Sequence, residues 1–153
     1  RLSSGVAIIR VGASSEVEMI EKKHRIEDAL EAVKSAQQEG ILPGGGMSLL
    51  KISEAIAPNF ETSDQALSLA IFKSALQAPF RTMAVNAGFS PDVTLWNAQS
   101  CEGPEGYNFM TGEKVDLLGA GIIDPAKVTR TALQNAASVA STLITTGHAV
   151  IEH

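Results

Sequence analysis

Apolar positions recur at steps of three and four through most of the chain, while short β-branched runs bounded by glycine are few. This pattern predicts a mainly α protein with minor β elements. The first stretch is the exception. Residues 5–12 (GVAIIRVG) are β-branched and apolar between two glycines, which predicts a short buried strand. Its sequence neighbours are helical, so its partner strand is expected outside this chain. Residues 15–39 then predict one long helix, with Ser15 as N-cap and Glu16 and Glu18 in the first turn, where the helix dipole favours acids. Ile26, Ala29, Leu30, Val33 and Ala36 give that helix one apolar face, and Gly40 is placed to stop it in a left-handed conformation.

Pro43-Gly44-Gly45-Gly46 breaks the helical pattern. A second helix follows, with Leu49, Leu50, Ile52 and Ile56 as apolar positions, and Pro58-Asn59 ends it. Residues 63–87 are helical again, with Leu67, Ala70, Ile71 and Leu76 expected on the core side. Pro79 is expected to kink or split this helix, and Gly88 to close it. Ser90-Pro91 supplies an N-cap and a first-turn proline for a short helix to about Gln99. Residues 101–123 are glycine-rich, with Tyr107, Phe109, Val115, Leu117 and Leu118 in short runs. They predict a hairpin around Thr111-Gly112. Asp124-Pro125 opens the last long helix, to about Thr146, with a stripe of Leu133, Ala136, Ala137, Ala140, Leu143 and Ile144. A short strand is expected at residues 149–151. There is no internal repeat and no low-complexity tract.

At 153 residues and 44% hydrophobic, the chain can bury one ordinary core. With only 5% aromatics, that core must be packed chiefly by Ala, Leu, Val and Ile. A net charge of -5 with no local Lys/Arg cluster argues against nucleic-acid and membrane-surface partners. The apolar runs are too short to span a bilayer, and no charged segment leads into an apolar one as in a secretory leader. The single cysteine, Cys101, excludes an internal disulfide and suits a reducing compartment. The start at Arg1, followed by a strand without a partner, is expected of a piece of a longer protein.

Three features could carry chemistry. The Gly44-Gly45-Gly46 triplet precedes a helix, so its amides could meet an anion; it could equally be a helix–helix connector, since it lacks the Lys-Ser/Thr ending of a phosphate-binding loop. Asp28 could pair with Arg25 on a solvated helix face, or could orient or deprotonate water. Asp124 reads as an N-cap, with its second carboxylate oxygen left for a ligand hydroxyl. His24, His148 and His153 form no metal-spacing motif, and neither Cys101 nor any serine sits in a nucleophile motif.

Taken together, several stretches resemble the group I chaperonins, the bacterial, mitochondrial and plastid folding chambers. They are residues 5–12 (GVAIIRVG), 16–18 (EVE), 21–30 (EKKHRIEDAL), Glu39-Gly40 with Pro43-Gly44-Gly45-Gly46, Gly106-Tyr107-Asn108, and 121–130 (GIIDPAKVTR). Their order and spacing are similar to the C-terminal part of that family over essentially the whole chain.

The resemblance implies an equatorial-domain-like helical bundle, represented by its C-terminal half at residues 41–153. Residues 1–40 would be an intermediate-domain segment, a strand plus a long helix, with the apical-domain junction at its start. It implies an ATP-dependent folding and refolding chaperone that forms homo-oligomeric heptameric rings, binds unfolded client proteins and takes a co-chaperonin cap. Location in a bacterial cytoplasm follows, with mitochondrial matrix and plastid stroma as the organelle counterparts. Asp28 matches the catalytic aspartate that positions the attacking water, and Gly45 a glycine at the ribose. Asn108, Phe109 and Met110 match the adenine-contacting stretch, and Asp124 the acid on the ribose hydroxyls. Gly5 and Gly40 match hinge glycines. The phosphate loop and most Mg ligands are expected from the N-terminal half, so this chain alone is expected to be inactive. Phe109 and Met110 stand where many members have small residues, and the family's glycine- and methionine-rich tail does not follow His153. These departures leave the alternative of a non-catalytic helical assembly module with the same fold.

Overall fold

The computed structural model describes residues 5–59 and 62–150. Among them are five helices, α1 (Glu16–Glu39), α2 (Met47–Ala55), α3 (Ser63–Asn86), α4 (Pro91–Gln99) and α5 (Ala126–Thr145). Four short strands accompany them: β1 (Ile41–Pro43), β2 (Glu105–Asn108), β3 (Glu113–Asp116) and β4 (Ile123–Pro125). The mainly helical class expected from the sequence is the one found.

Helix boundaries follow local chemistry. Ser15 Oγ accepts the Glu18 N–H at 3.2 Å and starts α1 as expected. Gly40 ends it with φ 84° and ψ −169°, so φ is positive but ψ is extended, and the chain passes straight into β1. Thr62 and Gln65 cap α3 reciprocally, which satisfies two first-turn donors. α3 is one continuous helix through Pro79, so of the expected kink or split the split does not occur. The hydrogen bond that proline removes is outweighed where Leu76 and Phe80, on either side of it, are both fully buried. α4 begins at Pro91 as expected, although Ser90 makes no side-chain cap bond.

β2 and β3 pair antiparallel from Glu105↔Asp116 to Asn108↔Glu113, which is the expected hairpin. β1 and β4 also pair antiparallel, through Ile41↔Pro125, Leu42↔Asp124 and Pro43↔Ile123. This second pairing joins segments far apart in sequence. It gives no period-two signal, because each strand is three residues long and contains a proline.

The core is one cluster between α2, the middle of α3, α4 and the hairpin. Met47, Leu50, Phe80, Leu95, Ala98, Cys101 and Leu117 are buried in it, with Tyr107, Phe109, Val115 and Ile122 packed against them. Several expected core positions lie elsewhere. Leu67 and Ile71 are each 64% exposed and Ala70 is exposed, because in the first half of α3 it is Ala66, Leu69 and Lys73 that are half-buried while this face stays open among the described residues. Ile52 is exposed, since α2 turns Met47, Leu50 and Ser53 inward instead. Neither α1 nor α5 has a fully buried residue: on their apolar stripes Ile26, Ala36 and Leu133 are half-buried and the other positions are exposed. Residues 5–12 form no strand, and Val6, Ile8 and Ile9 are exposed. A single extended segment has no partner for its backbone groups here. Residues 147–150 form no strand either, and Ile151 and His153 lie outside the described residues.

Polar contacts join α1 to α5. Arg130 grips Glu39 with two hydrogen bonds, of 2.6 and 2.9 Å, and Lys127 Nζ donates to Gln38 Oε1 at 2.5 Å. The Arg130 hydrogen bond, helped by the positive charges of Arg130 and Lys127, holds the Glu39 carboxyl below its ordinary value. A lowered acid stabilises the fold above the unfolded-state titration range, and loses that effect as pH falls through the folded value. Glu39→Gln is therefore expected to lower the melting temperature at neutral pH, with the difference vanishing in acid, as a pH series of thermal melts would show.

Candidate functional site

The site is built on the turn between β1 and α2, where each of three successive glycines meets a different element. A Cβ on Gly44 would lie 3.1 Å from the backbone of Ile122 and Ile123. The Gly44 N–H donates to the Ile122 carbonyl at 2.9 Å. On Gly45 a Cβ would meet the Tyr107 carbonyl at 3.7 Å and the Phe109 ring at 3.9 Å. On Gly46 it would meet Met83 Cε at 2.9 Å and the Phe80 backbone at 3.0 and 3.1 Å. Gly45 and Gly46 have φ of 66° and 74°, a region open mainly to glycine. Neither the Gly45 nor the Gly46 N–H is given to a backbone carbonyl among the described residues. The turn therefore presents amides at the N-terminus of α2, where the helix dipole favours negative charge.

This packing brings together most of the residues singled out from the sequence. Gly45 abuts β2 and Phe109, while Asp124 faces Leu42 across the β1–β4 pair. Asp124 does not cap α5. It lies in β4, and Pro125 holds the N-cap position without a side-chain bond. The residues before the helix are drawn into strand pairing, which places the carboxylate one residue too early to cap. It has no hydrogen bond or ion pair among the described residues, and burial pushes its pKa up. It opens onto a mostly apolar cleft of about 470 Å³ between α2, α3 and α5, whose other polar members are Ser48 and Thr129.

The stretch after β2 divides its roles. Asn108 Oδ1 accepts the Met110 N–H at 2.9 Å, forming a local turn. Phe109 turns its ring inward, and Met110 is 95% exposed.

Asp28 stands apart. It is exposed on α1 with no hydrogen bond or ion pair among the described residues, and it lies twelve positions before Gly40, about 18 Å along the helix. Arg25 pairs with Glu21 at 2.9 Å and not with Asp28. Gly5 and Gly40 are both exposed, with open space around them. Sequence reasoning missed the parts of other elements that shape the turn, Phe80, Met83, Tyr107 and the Ile122 carbonyl. Only the density of three adjacent glycines hinted that something must approach closely there. Among the described residues there is no group of three or more His, Cys, Asp or Glu side chains that could hold a metal ion. No helix among them is long and apolar enough to cross a membrane.

Residues 1–153 match the TCP-1/cpn60 chaperonin family. Among solved structures the chain is similar to a group III chaperonin in the open state, at 32% identity and a TM-score of 0.76. The match covers 92% of this chain and 30% of that one, so this chain spans under a third of that relative's length.

An unpaired, desolvated carboxylate costs stability in its ionised form, and such groups cluster at sites of function. Because the folded pKa of Asp124 is raised, the cost is absent below the unfolded-state range and complete once pH exceeds the folded value. Asp124→Asn is expected to raise the melting temperature at neutral pH, and the gain should disappear in acid.

Proposed function

The chain belongs to the TCP-1/cpn60 chaperonin family, and from that premise we propose that it is the C-terminal part of a group I folding-chamber subunit that hydrolyses ATP. Residues 1–40 form the returning arm of the intermediate domain, and residues 41–153 the second half of the equatorial domain. The carrying observation is convergence: Gly45, the Asn108–Phe109 segment and Asp124 are distant in sequence but meet around one glycine turn. In this reading the nucleotide sugar rests on Gly45 and Asp124, and the base rests along Asn108, Phe109 and Met110. The unpaired state of Asp124 supports a carboxylate kept for a ribose hydroxyl.

Asp28 acts from the arm. A rigid rotation about Gly40 keeps Asp28 about 18 Å from the pivot. Asp124 lies within roughly 12 Å of Gly40, two extended residues plus one strand spacing away. Asp28 can therefore swing towards Asp124 but approaches it no closer than roughly 6 Å. That gap suits a bridging ligand whose sugar sits on Asp124 and whose terminal phosphate meets the arm. There the carboxylate orients the attacking water. Phosphoryl transfer depends on positioning and on charge stabilisation. The phosphate-cradling groups and the ligands for magnesium come from the part of the protein outside this chain, so the chain alone is inactive.

The apolar cleft beside Asp124 and the bare stripes of α3 and α5 fit the same reading. They are the surfaces that the first half of the equatorial domain covers. The assembled protein is a homo-oligomer of heptameric rings that holds unfolded clients and binds a co-chaperonin, in a bacterial cytoplasm or its organelle counterpart.

In the full-length protein, Asp28→Ala is expected to leave ATP binding near wild type and to slow hydrolysis by roughly 10²–10⁴-fold. Isothermal titration and steady-state turnover measure the two effects. Equal loss of both would assign Asp28 a structural role. No ATP affinity in the wild type would favour a non-catalytic assembly module.

A further inference from the structure

The residue after Asn108 does something other than meet a ligand with its side chain. Phe109 packs edge-on against Phe80, with ring centroids 5.1 Å apart at 62°, and lies 5.7 Å from Tyr107 at 52°. Tyr107 in turn packs edge-on to Phe89 at 5.9 Å. The Phe109 ring also reaches the glycine turn, 3.9 Å from the position a Gly45 Cβ would take. Gly46 is seated against the backbone of Phe80, the other wall of the same corner. The ring therefore fills the space beneath the turn, between α3 and the hairpin. The Asn108 side chain, closing its own turn onto the Met110 N–H, fixes the backbone at this point.

We propose that Phe109 is a positioning residue for nucleotide binding: its ring is the floor that sets where Gly45 and its free amide stand. The inference rests on the nucleotide reading above and adds a cause for the turn's placement. Close-packed interiors transmit a missing volume to their neighbours. With a small residue at 109 the turn loses its support and is free to settle away from the ligand. The ring is not itself a contact to the base.

The test uses the full-length protein, with ATP as the probe. Dissociation constants from titration calorimetry, kcat, KM and melting temperature are compared for wild type, Phe109→Ala, Phe109→Leu and Leu95→Ala. Leu95 belongs to the same buried cluster but does not come within 4 Å of the position a Gly45 Cβ would take. Phe109→Ala is expected to weaken ATP binding about ten-fold and raise KM in parallel, with a much smaller effect on kcat. Phe109→Leu should restore most of the affinity. Leu95→Ala should lower the melting temperature while leaving the dissociation constant alone. Where Phe109→Ala does not fold, Phe109→Val takes its place. Wild-type affinity in Phe109→Ala (or in Phe109→Val where it takes its place), or an equal loss of affinity in Leu95→Ala, would overturn the proposal. A wild-type protein that binds no ATP overturns the nucleotide reading itself, and this inference with it.

Discussion

Two of the three elements around the β1–α2 turn can close on it only because no side chain stands at Gly44 or Gly46. At Gly45 a Cβ would make ordinary contact, and there it is the φ of 66° that favours glycine. Gly44 admits the Ile122–Ile123 backbone, Gly45 the end of β2 and the Phe109 ring, and Gly46 the middle of α3. Any Cβ at Gly44 or Gly46 would push on backbone, which cannot rotate aside as a flexible side chain can. The turn thus fixes how α2 enters the core, and Met47 and Leu50, just beyond it, are fully buried. It also fixes the β1–β4 pair through the Gly44–Ile122 hydrogen bond. Fold and site share one constraint.

The same constraint accounts for the state of Asp124. Strand pairing takes it out of the helix-capping position and leaves its carboxylate partly buried beside an apolar cleft, without a partner among the described residues. A protein selected for stability alone would cap α5 or neutralise that charge. In the proposed function a ligand hydroxyl would supply the missing partner, a trade between stability and activity. The arm carrying Asp28 shows the complementary arrangement. Its base is held to α5 by Arg130 and Lys127, and most of its apolar stripe is exposed, with Ile26 and Ala36 half-buried. The held end leads into Gly40, which has open space around it.

What was legible in the sequence was local. Ser15 capping α1, Pro91 opening α4 and the hairpin around Thr111-Gly112 depend on a few adjacent residues, and all three are found. What depended on distant partners was not legible. The β1–β4 pair is too short and too proline-rich to show a period. Residues 5–12 have the composition of a strand, but a strand exists only when paired. Leu67 and Ile71 are as periodic as Leu76, yet only Leu76 meets the core, because periodicity shows which face is apolar and not what covers it. For the candidate site, family resemblance supplied residue types and their order, and the structure places Gly45, Phe109 and Asp124 around or beside one turn while Asp28 stands apart. The inward turn of Phe109 and the position of Asp124 within a strand were not readable in the sequence.

Hydrogen exchange on a Gly46→Ala variant tests most directly whether the glycine turn holds fold and site together. An alanine there must adopt φ near 74° against Met83 and the Phe80 backbone, at a cost above roughly 1 kcal/mol. The account predicts that α2, the β2–β3 hairpin and the β1–β4 pair lose protection together, by a similar factor. Protection lost from α2 alone, or from none of them, would contradict it.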